Sequence, residues 1–323
     1  MTHPATGLPD AFLQRLSTTL DDADLAATLA WFSQDKHCTF RVNTLRCKPG
    51  DAIAALGAEG IEARPWPLLP EAFWVPFADR ELLVRSSLCN QGCIYVQNFS
   101  SMVPVVLLDP QPGEEILDLA AAPGGKTLHT AARMADEGRI AAVELVKGRY
   151  YRMLDNIERS GATLVDTYWK DGARVGRQVP NRFDKVLLDA PCSSEARFDT
   201  RNPASYRYWS EKKVKDMQRK QKQLLYSGVS ALKPGGKLVY STCSYAPEEN
   251  ELAIQHILRK FGDQLEVQPI ALDLPNLRPG LSQWKGKALP PQLRQCRRIL
   301  PTAWMDGFFV AVLHKVAQAR DRL

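Results

Sequence analysis

The chain has 323 residues, of which 45% are hydrophobic and 24% are charged, and this composition excludes a disordered protein. Its 42 Lys and Arg against 36 Asp and Glu give a net charge of +6, which permits a nucleic-acid partner without establishing one. The longest apolar run, residues 102–108, is far shorter than the roughly 20 residues that cross a bilayer, and residues 1–10 lack the apolar stretch of a secretory signal. The seven cysteines are odd in number and scattered, which favours reduced thiols. We therefore expect a cytoplasmic, monomeric protein that does not enter a membrane.

The first third of the chain predicts helices followed by a small mixed module. Apolar residues recur at helical spacing from residue 9 to residue 34, beginning with Phe12 and Leu16, and predict N-terminal helices over residues 1–35. Short units then alternate, with strands at 40–45, 61–64 and 72–75 and a helix at 51–56. We predict a compact α+β module over residues 36–110. An extension that only packs on the next domain is the alternative.

Residues 111–323 predict the larger domain, in which apolar strands alternate with helices. The strands lie at 115–119, 139–143, 163–169, 183–188 and 237–242, and the helices at 126–134, 147–160, 211–232 and 248–261. This alternation is typical of a parallel, doubly wound α/β sheet. A strand at 265–270 and a Pro-rich segment at 275–301 follow, and the apolar run 307–313 predicts a last strand that closes the sheet edge as a hairpin.

The loop after the first of these strands is a candidate binding element. Residues 117–127 read Leu-Asp-Leu-Ala-Ala-Ala-Pro-Gly-Gly-Lys-Thr, and small residues with paired glycines let backbone N–H groups approach a ligand at a helix N-terminus. An ordinary tight βα turn is the alternative. A P-loop is excluded, because that motif requires Gly where this chain has Ala120.

Two acidic residues follow the next two strands. Glu144 ends the second strand about 20 residues after the glycines, where a nucleotide-binding sheet places a carboxylate for ribose hydroxyls. NAD and S-adenosylmethionine both suit this spacing. Asp171 follows the third strand and either faces the adenine end of the same crevice or is a turn Asp.

Two cysteines stand where a doubly wound sheet carries its chemistry, at the carboxyl ends of central strands. Cys192 lies in Asp-Ala-Pro-Cys-Ser (189–193) and Cys243 in Ser-Thr-Cys-Ser (241–244). A buried cysteine is usually a small hydrophobe, but each of these lies beyond its apolar run, on strands expected to be neighbours, so the pair could converge on the ligand crevice. No Cys-x-x-Cys is present, and we expect no metal site. The remaining cysteines of the first hundred residues are expected to be core or surface thiols: Cys38, Cys47, Cys89 and Cys93.

The helix predicted at 211–232 begins with a run of charged residues, which usually forms only a solvated helix face. Just before it, Arg197, Arg201 and Arg207 are interleaved with aromatic residues. Cations among aromatic rings are the mixture that holds phosphates and stacks bases. The segment is therefore a candidate RNA contact.

Taken together, these residues resemble the Nop/Sun family of RNA cytosine-5 methyltransferases, which use S-adenosylmethionine. The resemblance covers residues 9–314 and follows motifs at 41–45, 95–98 with 100–102, 121–127, 189–193, 233–236, and 240–244 with 248–250. It implies a class I, Rossmann-like methyltransferase sheet preceded by a small α+β module similar to RNA-recognition modules. Where relatives continue the Pro-Cys-Ser motif with Gly-Glu-Gly, this chain has Ser194-Glu195-Ala196-Arg197, which puts local substrate contacts in question.

The resemblance also implies roles for individual residues. The cofactor would lie against Ala120, Ala121, Ala122, Pro123, Gly124, Gly125, Lys126, Glu144, Asp171 and Asp189. Cys243 would add to C6 of cytosine, with its pKa lowered by the cationic donor and Lys126, and Cys192 would assist release of the adduct. Asp189 would hold the cytosine edge near N3, and Lys126 would orient the base. Ribosomal or transfer RNA would be held by the small module and the basic segment, through Arg41, Asn43, Arg197, Arg201, Arg207, Lys212 and Lys213.

Three other functions compete with this interpretation. A DNA cytosine-5 methyltransferase shares the chemistry but typically uses the Pro-Cys thiol as its nucleophile, and no large target-recognition insertion is visible. An NAD-dependent oxidoreductase would use the same sheet. A non-catalytic RNA-binding or ribosome-assembly factor could retain the methyltransferase fold, but it would need none of Lys126, Cys192 and Cys243 together.

Overall fold

The computed structural model describes residues 7–317, which begin with two short helices. Helix α1 spans Asp10–Ser17 and α2 spans Asp22–Ala30. The ring of Phe12 on α1 packs 4.9 Å from that of Phe198 and 5.7 Å from that of Trp209, centroid to centroid. These helices therefore pack on the domain that carries the predicted chemistry.

A four-stranded antiparallel sheet follows, in the strand order β2-β3-β1-β4. Its elements are β1 (Cys38–Val42), α3 (Pro49–Ala58), β2 (Arg64–Trp66), β3 (Leu69–Val75), α4 (Arg80–Arg85), α5 (Ser87–Asn90) and β4 (Ile94–Val96). The strand predicted at 61–64 is misplaced: Ile61 follows the left-handed Gly60 and is buried against the end of α3, so the strand starts only at Arg64.

Helix α6 (Phe99–Leu108) marks the passage to the second sheet. Its side chains belong to the core of the larger domain, which Leu69 and Ala72 of the small module also join, while the rest of the module has a core of its own. The long apolar run of α6 therefore packs against the second sheet, and the boundary at residue 110 stays a prediction.

The larger domain carries a nine-stranded mixed sheet. Its strands are β5 (Glu115–Asp118), β6 (Arg139–Glu144), β7 (Val165–Trp169), β8 (Phe183–Asp189), β9 (Leu232–Thr242), β10 (Leu265–Gln268), β11 (Leu277–Pro279), β14 (Arg297–Ile299) and β15 (Phe308–Lys315), with β12 (Gln283–Trp284) and β13 (Lys287–Ala288) forming a separate ribbon. Its helices are α7 (Gly125–Arg133), α8 (Lys147–Ser160), α9 (Val175–Gln178), α10 (Glu211–Ala231) and α11 (Glu251–Phe261). Within residues 7–317, no helix has the length and apolar character to cross a membrane.

The parallel part of this sheet confirms the doubly wound fold. Strands β9, β8, β5, β6 and β7 pair in that order, all in parallel. The chain order reverses between β5 and β8, and ligands of such sheets bind at the carboxyl ends of the strands beside this switch point. The loops after β5, β8 and β9 therefore meet where chemistry is expected.

The last strand does not close the sheet edge, contrary to the prediction from residues 307–313. One side of β15 pairs antiparallel with β9, and the other side pairs with β14 and β10. The apolar run is therefore buried inside the sheet, and the Pro-rich segment supplies the strands that cover it.

The expectation of free thiols is wrong for two cysteines of the small module. Cys47 and Cys93 form a disulfide bond across a Cα–Cα distance of 5.6 Å. Their sequence separation of 46 hid this pairing, because the antiparallel sheet brings the loop after β1 beside the start of β4. Cys38 and Cys89 are free, as expected.

Candidate active site

The loop between β5 and α7 forms one wall of the site. Each of its two glycines is required for a different structural reason. Gly124 has φ of +104°, a conformation that side-chain-bearing residues rarely adopt. A Cβ on Gly125 would lie 2.8 Å from the ring of Tyr95. The loop can therefore make its turn and pack against the small module only with glycine at both positions.

Asp118, at the end of β5, has one carboxylate oxygen bonded and one free. The Thr127 hydroxyl donates to Oδ2 across 2.7 Å, whereas Oδ1 is buried and accepts no hydrogen bond from the described residues. Burial raises the pKa of Asp118 to about 7, and the negative charge of Asp189 adds to this effect. Sequence reasoning quoted Asp118 within the loop motif without assigning it a role.

Glu144 lies at the carboxyl end of β6, as predicted, and is 3% exposed. The backbone N–H of Val146 donates to its Oε1 across 2.8 Å, and Oε2 accepts no hydrogen bond from the described residues. Arg149, which the sequence analysis missed, donates to the carbonyl oxygen of Ala122 and so links α8 to the loop. Asp171 accepts a 3.0 Å hydrogen bond from the backbone of Ala173, which is the turn role; its contact with a cofactor stays a prediction.

Asp189 and Lys126 form an ion pair between the ends of β8 and α7. The ammonium Nζ of Lys126 lies 2.7 Å from Asp189 Oδ2, and the Ser241 hydroxyl donates to Oδ1 across 2.9 Å. The Lys126 side chain is about 10% exposed and that of Asp189 about 34%. The pair thus presents a partly open carboxylate beside the loop.

The two predicted cysteines meet. The Sγ atoms of Cys192 and Cys243 are 3.3 Å apart, within hydrogen-bond distance for a thiol and a thiolate. The hydrogen bond from Cys192 lowers the pKa of Cys243; burial opposes this effect, and the positive charge of Arg197 adds to it. The same hydrogen bond, followed by burial, raises the pKa of Cys192 well above its usual range. Cys243 is therefore the more acidic thiol of the pair.

Two cationic side chains lie near the pair of cysteines and have different partners. The ammonium of Lys126 pairs with Asp189 across 2.7 Å. Arg197 supplies the cationic effect from the loop that follows Cys192. The sequence analysis named Arg197 as an RNA contact and as part of a departure from the pattern of relatives, but not as a neighbour of the thiols.

Two buried carboxylates hold the loops that carry the cysteines. Glu249 accepts hydrogen bonds from the backbone and hydroxyl of Ser193 and from the hydroxyl of Ser244, the residues that follow the two cysteines. Glu195 accepts from the Ser244 hydroxyl across 3.1 Å and from the Trp209 indole across 2.8 Å. Burial, and then the charge of Glu195, raise the pKa of Glu249 to about 7. This network ties the ends of β8 and β9 together.

The prediction that Arg41 and Asn43 contact RNA is wrong, since they are 1% and 3% exposed. Arg41 donates to Gln97 Oε1 and to the carbonyl oxygen of Gly125, across 3.1 and 3.2 Å, and its guanidinium lies 5.3 Å from the ring centroid of Tyr95. Asn43 donates to the carbonyl oxygens of Gly92 and Ser160. Both residues join the small module to the larger domain.

The other predicted RNA contacts lie at or near the surface, and one of them, Arg201, is already paired with carboxylates. Arg201 donates to Asp35 across 2.7 Å and to Asp199 across 3.0 Å. Exposed side chains remain at Arg197, Arg207 and Lys212, with Lys213 half-buried. The guanidinium of Arg207 lies 4.5 Å from the ring centroid of Tyr208, which is 70% exposed. For these residues RNA contact stays a prediction.

The sheet topology, the glycine loop and the acidic residue at the end of β6 together define the fold of Rossmann-like methyltransferases. Residues 105–314 match the family described as 16S rRNA methyltransferase RsmB/F, and the chain belongs to this family, which confirms the resemblance to Nop/Sun proteins. It is 35% identical over 323 residues to ribosomal RNA small subunit methyltransferase F of Escherichia coli (strain SMS-3-5 / SECEC), covering 98% of this chain and 65% of that one. For the protein of that name from Vibrio parahaemolyticus, the identity is 33% and the shares are 97% and 64%. The chain thus spans slightly less than two thirds of the length of these relatives.

Solved structures agree with the fold. A methyltransferase homologue from Pyrococcus horikoshii superposes with a TM-score of 0.82 at 32% identity, covering 96% of both chains. NSun6 from the same organism, solved with SFG, superposes with a TM-score of 0.81 at 22% identity, covering 96% of this chain and 99% of that one. The small module and the larger domain are thus arranged together in these proteins as they are here.

Proposed function

We propose that this protein transfers a methyl group from S-adenosylmethionine to C5 of a cytosine in RNA. The observation that carries the proposal is the 3.3 Å separation of the Cys192 and Cys243 sulfurs, next to the carboxylate of Asp189. The description of the family and the names of the relatives favour RNA of the small ribosomal subunit over transfer RNA as the substrate.

The residues of the predicted cofactor site fit S-adenosylmethionine. Glu144 and Asp118 each present a buried carboxylate oxygen that accepts no hydrogen bond from the described residues, and the ligand carries hydroxyl and ammonium donors. The loop between β5 and α7 adds only small groups at the predicted cofactor site: Ala120, Ala121, Ala122, Pro123, Gly124 and Gly125. When bound, the cofactor supplies an electrophilic methyl group on a sulfonium.

Cys243 performs the first covalent step. C5 of cytosine is too weak a nucleophile to accept a methyl group unaided, so the Cys243 thiolate adds to C6, and N3 takes a proton from solvent. Asp189 accepts the resulting N3–H hydrogen bond, and Lys126 holds the carboxylate in place. C5 of the adduct has enamine character and would take the methyl group as its bond to the donor sulfur breaks, which leaves the donor as a neutral thioether. Since C5 and C6 must be reached from above the ring, the base has to be unpaired or flipped out.

Cys192 acts in the second half of the reaction. While Cys243 is a thiolate, its negative charge and hydrogen bond hold the pKa of Cys192 high. Once the sulfur of Cys243 is bonded to carbon, that charge is gone, so Cys192 loses its proton more easily. Its thiolate then takes the proton from C5, the C6–S bond breaks, and N3 returns its proton to solvent. Methylated cytosine leaves, and Cys243 is restored.

Replacing single cysteines tests this assignment. The assay measures transfer of a labelled methyl group to small-subunit RNA, with duplex DNA as the competing substrate and bisulfite sequencing to identify the product. Cys243→Ala should transfer no methyl group while still binding S-adenosylmethionine in calorimetry. The matched control, Cys89→Ala, alters a free, partly buried thiol of the small module and should retain wild-type activity. Methylation by Cys243→Ala, or a preference for DNA, would contradict the proposal.

A further inference from the structure

A cavity of about 470 Å³ opens beside the loop that follows Cys192. Five parts of the chain line it: residues 31–39 after α2, the segment of the small module that contains Phe77 and Arg80, Val96 with Asn98, residues 196–201, and Asp306. Its volume is in the range of sites that bind small organic ligands. It lies at the meeting point of the N-terminal helices, the small module and the larger domain.

The acidic residues on the cavity walls are already paired. Lys36 Nζ lies 2.6 Å from Asp306 Oδ1, and Arg201 bonds both Asp35 and Asp199. These contacts engage all three carboxylates that line the cavity. A ligand entering it therefore meets no free negative charge on these walls.

Two cations of the same walls have no such partner. Arg80 and Arg197 are exposed, and no carboxylate of residues 7–317 lies within 4.0 Å of either guanidinium. An arginine without a carboxylate partner is free to bind a phosphate through two parallel hydrogen bonds. Arg197 is also close enough to Cys243 and Cys192 for their charges to act on it. Arg197 therefore belongs both to the wall of the cavity and to the neighbourhood of the two cysteines.

The wall beside Arg80 carries an exposed aromatic ring. Phe77 stands three residues before Arg80 and is 48% exposed, although it is a large apolar side chain. An exposed ring next to arginines is a surface on which a nucleobase can stack. A protein ligand of this cavity would need carboxylates to pair with the arginines, but it would gain little from contact with the exposed ring of Phe77 alone.

We propose that this cavity is a second nucleotide subsite, which binds a single-stranded RNA nucleotide neighbouring the target cytosine. Arg80 and Arg197 contact its phosphates, and Phe77 stacks on its base. That the neighbouring cytosine is the base to be methylated rests on the proposed function. Binding of single-stranded RNA at this cavity does not require methyl transfer. The subsite would hold the chain on one side of the flipped base and fix its direction relative to Cys243.

Fluorescence anisotropy with a 5′-labelled single-stranded 12-nucleotide RNA tests the subsite, without methyl donor. Arg80→Ala and Phe77→Ala should each weaken binding by about fivefold or more, the effect expected from losing a phosphate contact or a stacked base. Arg80→Ala and Arg197→Gln should also reduce the slope of log Kd against log salt by about 0.7 each, whereas Phe77→Ala should leave it unchanged. The matched control is Arg85→Ala, which removes an exposed arginine of α4 that is paired with Glu81 and should bind as the wild type does.

The outcome is separable from that of the proposed function. Far-ultraviolet circular dichroism of each variant verifies folding. If Arg80→Ala and Phe77→Ala bind RNA as tightly as Arg85→Ala does, the subsite is overturned, even when the wild-type protein methylates RNA. If both bind weakly while the wild type shows no methyl transfer, the subsite stands and the proposed function fails. Equal binding losses in all three variants, control included, would also overturn the subsite, since they would indicate unspecific attraction of RNA to surface charge.

Discussion

The buried carboxylate of Asp118 makes the free energy of unfolding depend on pH in a calculable way. Its pKa is about 7 in the folded protein, against an ordinary value of 3.8 that we take for the unfolded chain. Between these values the folded state keeps a proton that the unfolded state has released. The stability contributed by this group is therefore fully present below pH 3.8 and is lost as the pH rises through 7.

The magnitude follows from the width of that window. Each pH unit inside it changes the free energy of unfolding by about 1.4 kcal/mol, so the whole window is worth about 4 kcal/mol. Asp118→Asn keeps the shape and the acceptor for Thr127 but cannot ionise. The free energy of unfolding of the wild type, minus that of the variant, should fall by about 2 kcal/mol between pH 5 and pH 6.5.

Urea denaturation of both proteins at several pH values measures this difference. The comparison with the variant removes the contributions of all other titrating groups, because both chains share them. A difference that is flat over this range, or that rises with pH, would refute the reasoning that burial keeps Asp118 protonated.

Two further substitutions test the buried contacts around the site. Arg41→Met removes the donor to the Gly125 carbonyl oxygen. We expect the free energy of unfolding to fall by about 1–3 kcal/mol in urea denaturation, and S-adenosylmethionine to bind more weakly in calorimetry. Unchanged values of both would show that this contact does not support the loop. Arg298→Met leaves the fully buried Glu251 without its partner at 2.6 Å. Thermal and urea denaturation should show that the free energy of unfolding falls by about 3–5 kcal/mol. Adding Glu251→Gln to Arg298→Met should recover part of that loss, and no recovery would mean that the unpaired charge is not its cause.

Elements with a strong local pattern were predictable from the sequence. The helix predicted at 147–160 has those limits in the structure, and the parallel strands differ by only a few residues, since their apolar runs are continuous. The meeting of Cys192 and Cys243 was predictable for the same reason, because strands that neighbour each other in a parallel sheet bring their carboxyl ends together.

Features that depend on distant contacts were not predictable. The apolar pattern of residues 308–315 is the same whether the strand lies at the edge of a sheet or between two neighbouring strands. Only the assembled sheet shows that this strand is internal. The motif around Arg41 was assigned to RNA because an arginine in a sequence reveals its charge but not its burial. The partner that makes it structural, the carbonyl oxygen of Gly125, is 84 residues away.

The effect of Arg197 on the pKa of Cys243 was not predictable for a related reason. Lys126 is the nearest candidate in the motifs, but its ion pair with Asp189 engages the charge. Arg197 reaches the pair of thiols only through the fold of the loop after Cys192. Charged residues in a sequence thus indicate where a site lies, but they do not indicate which cation lowers the pKa of which thiol.

Mass spectrometry of a trapped intermediate tests the division of roles between the two sulfurs most directly. Cys192→Ala, incubated with small-subunit RNA and S-adenosylmethionine and then denatured and digested, should yield a peptide in which Cys243 is bonded to a methylated cytidine. Normal turnover by this variant with no bonded peptide, or a bond to any residue other than Cys243, would contradict the account.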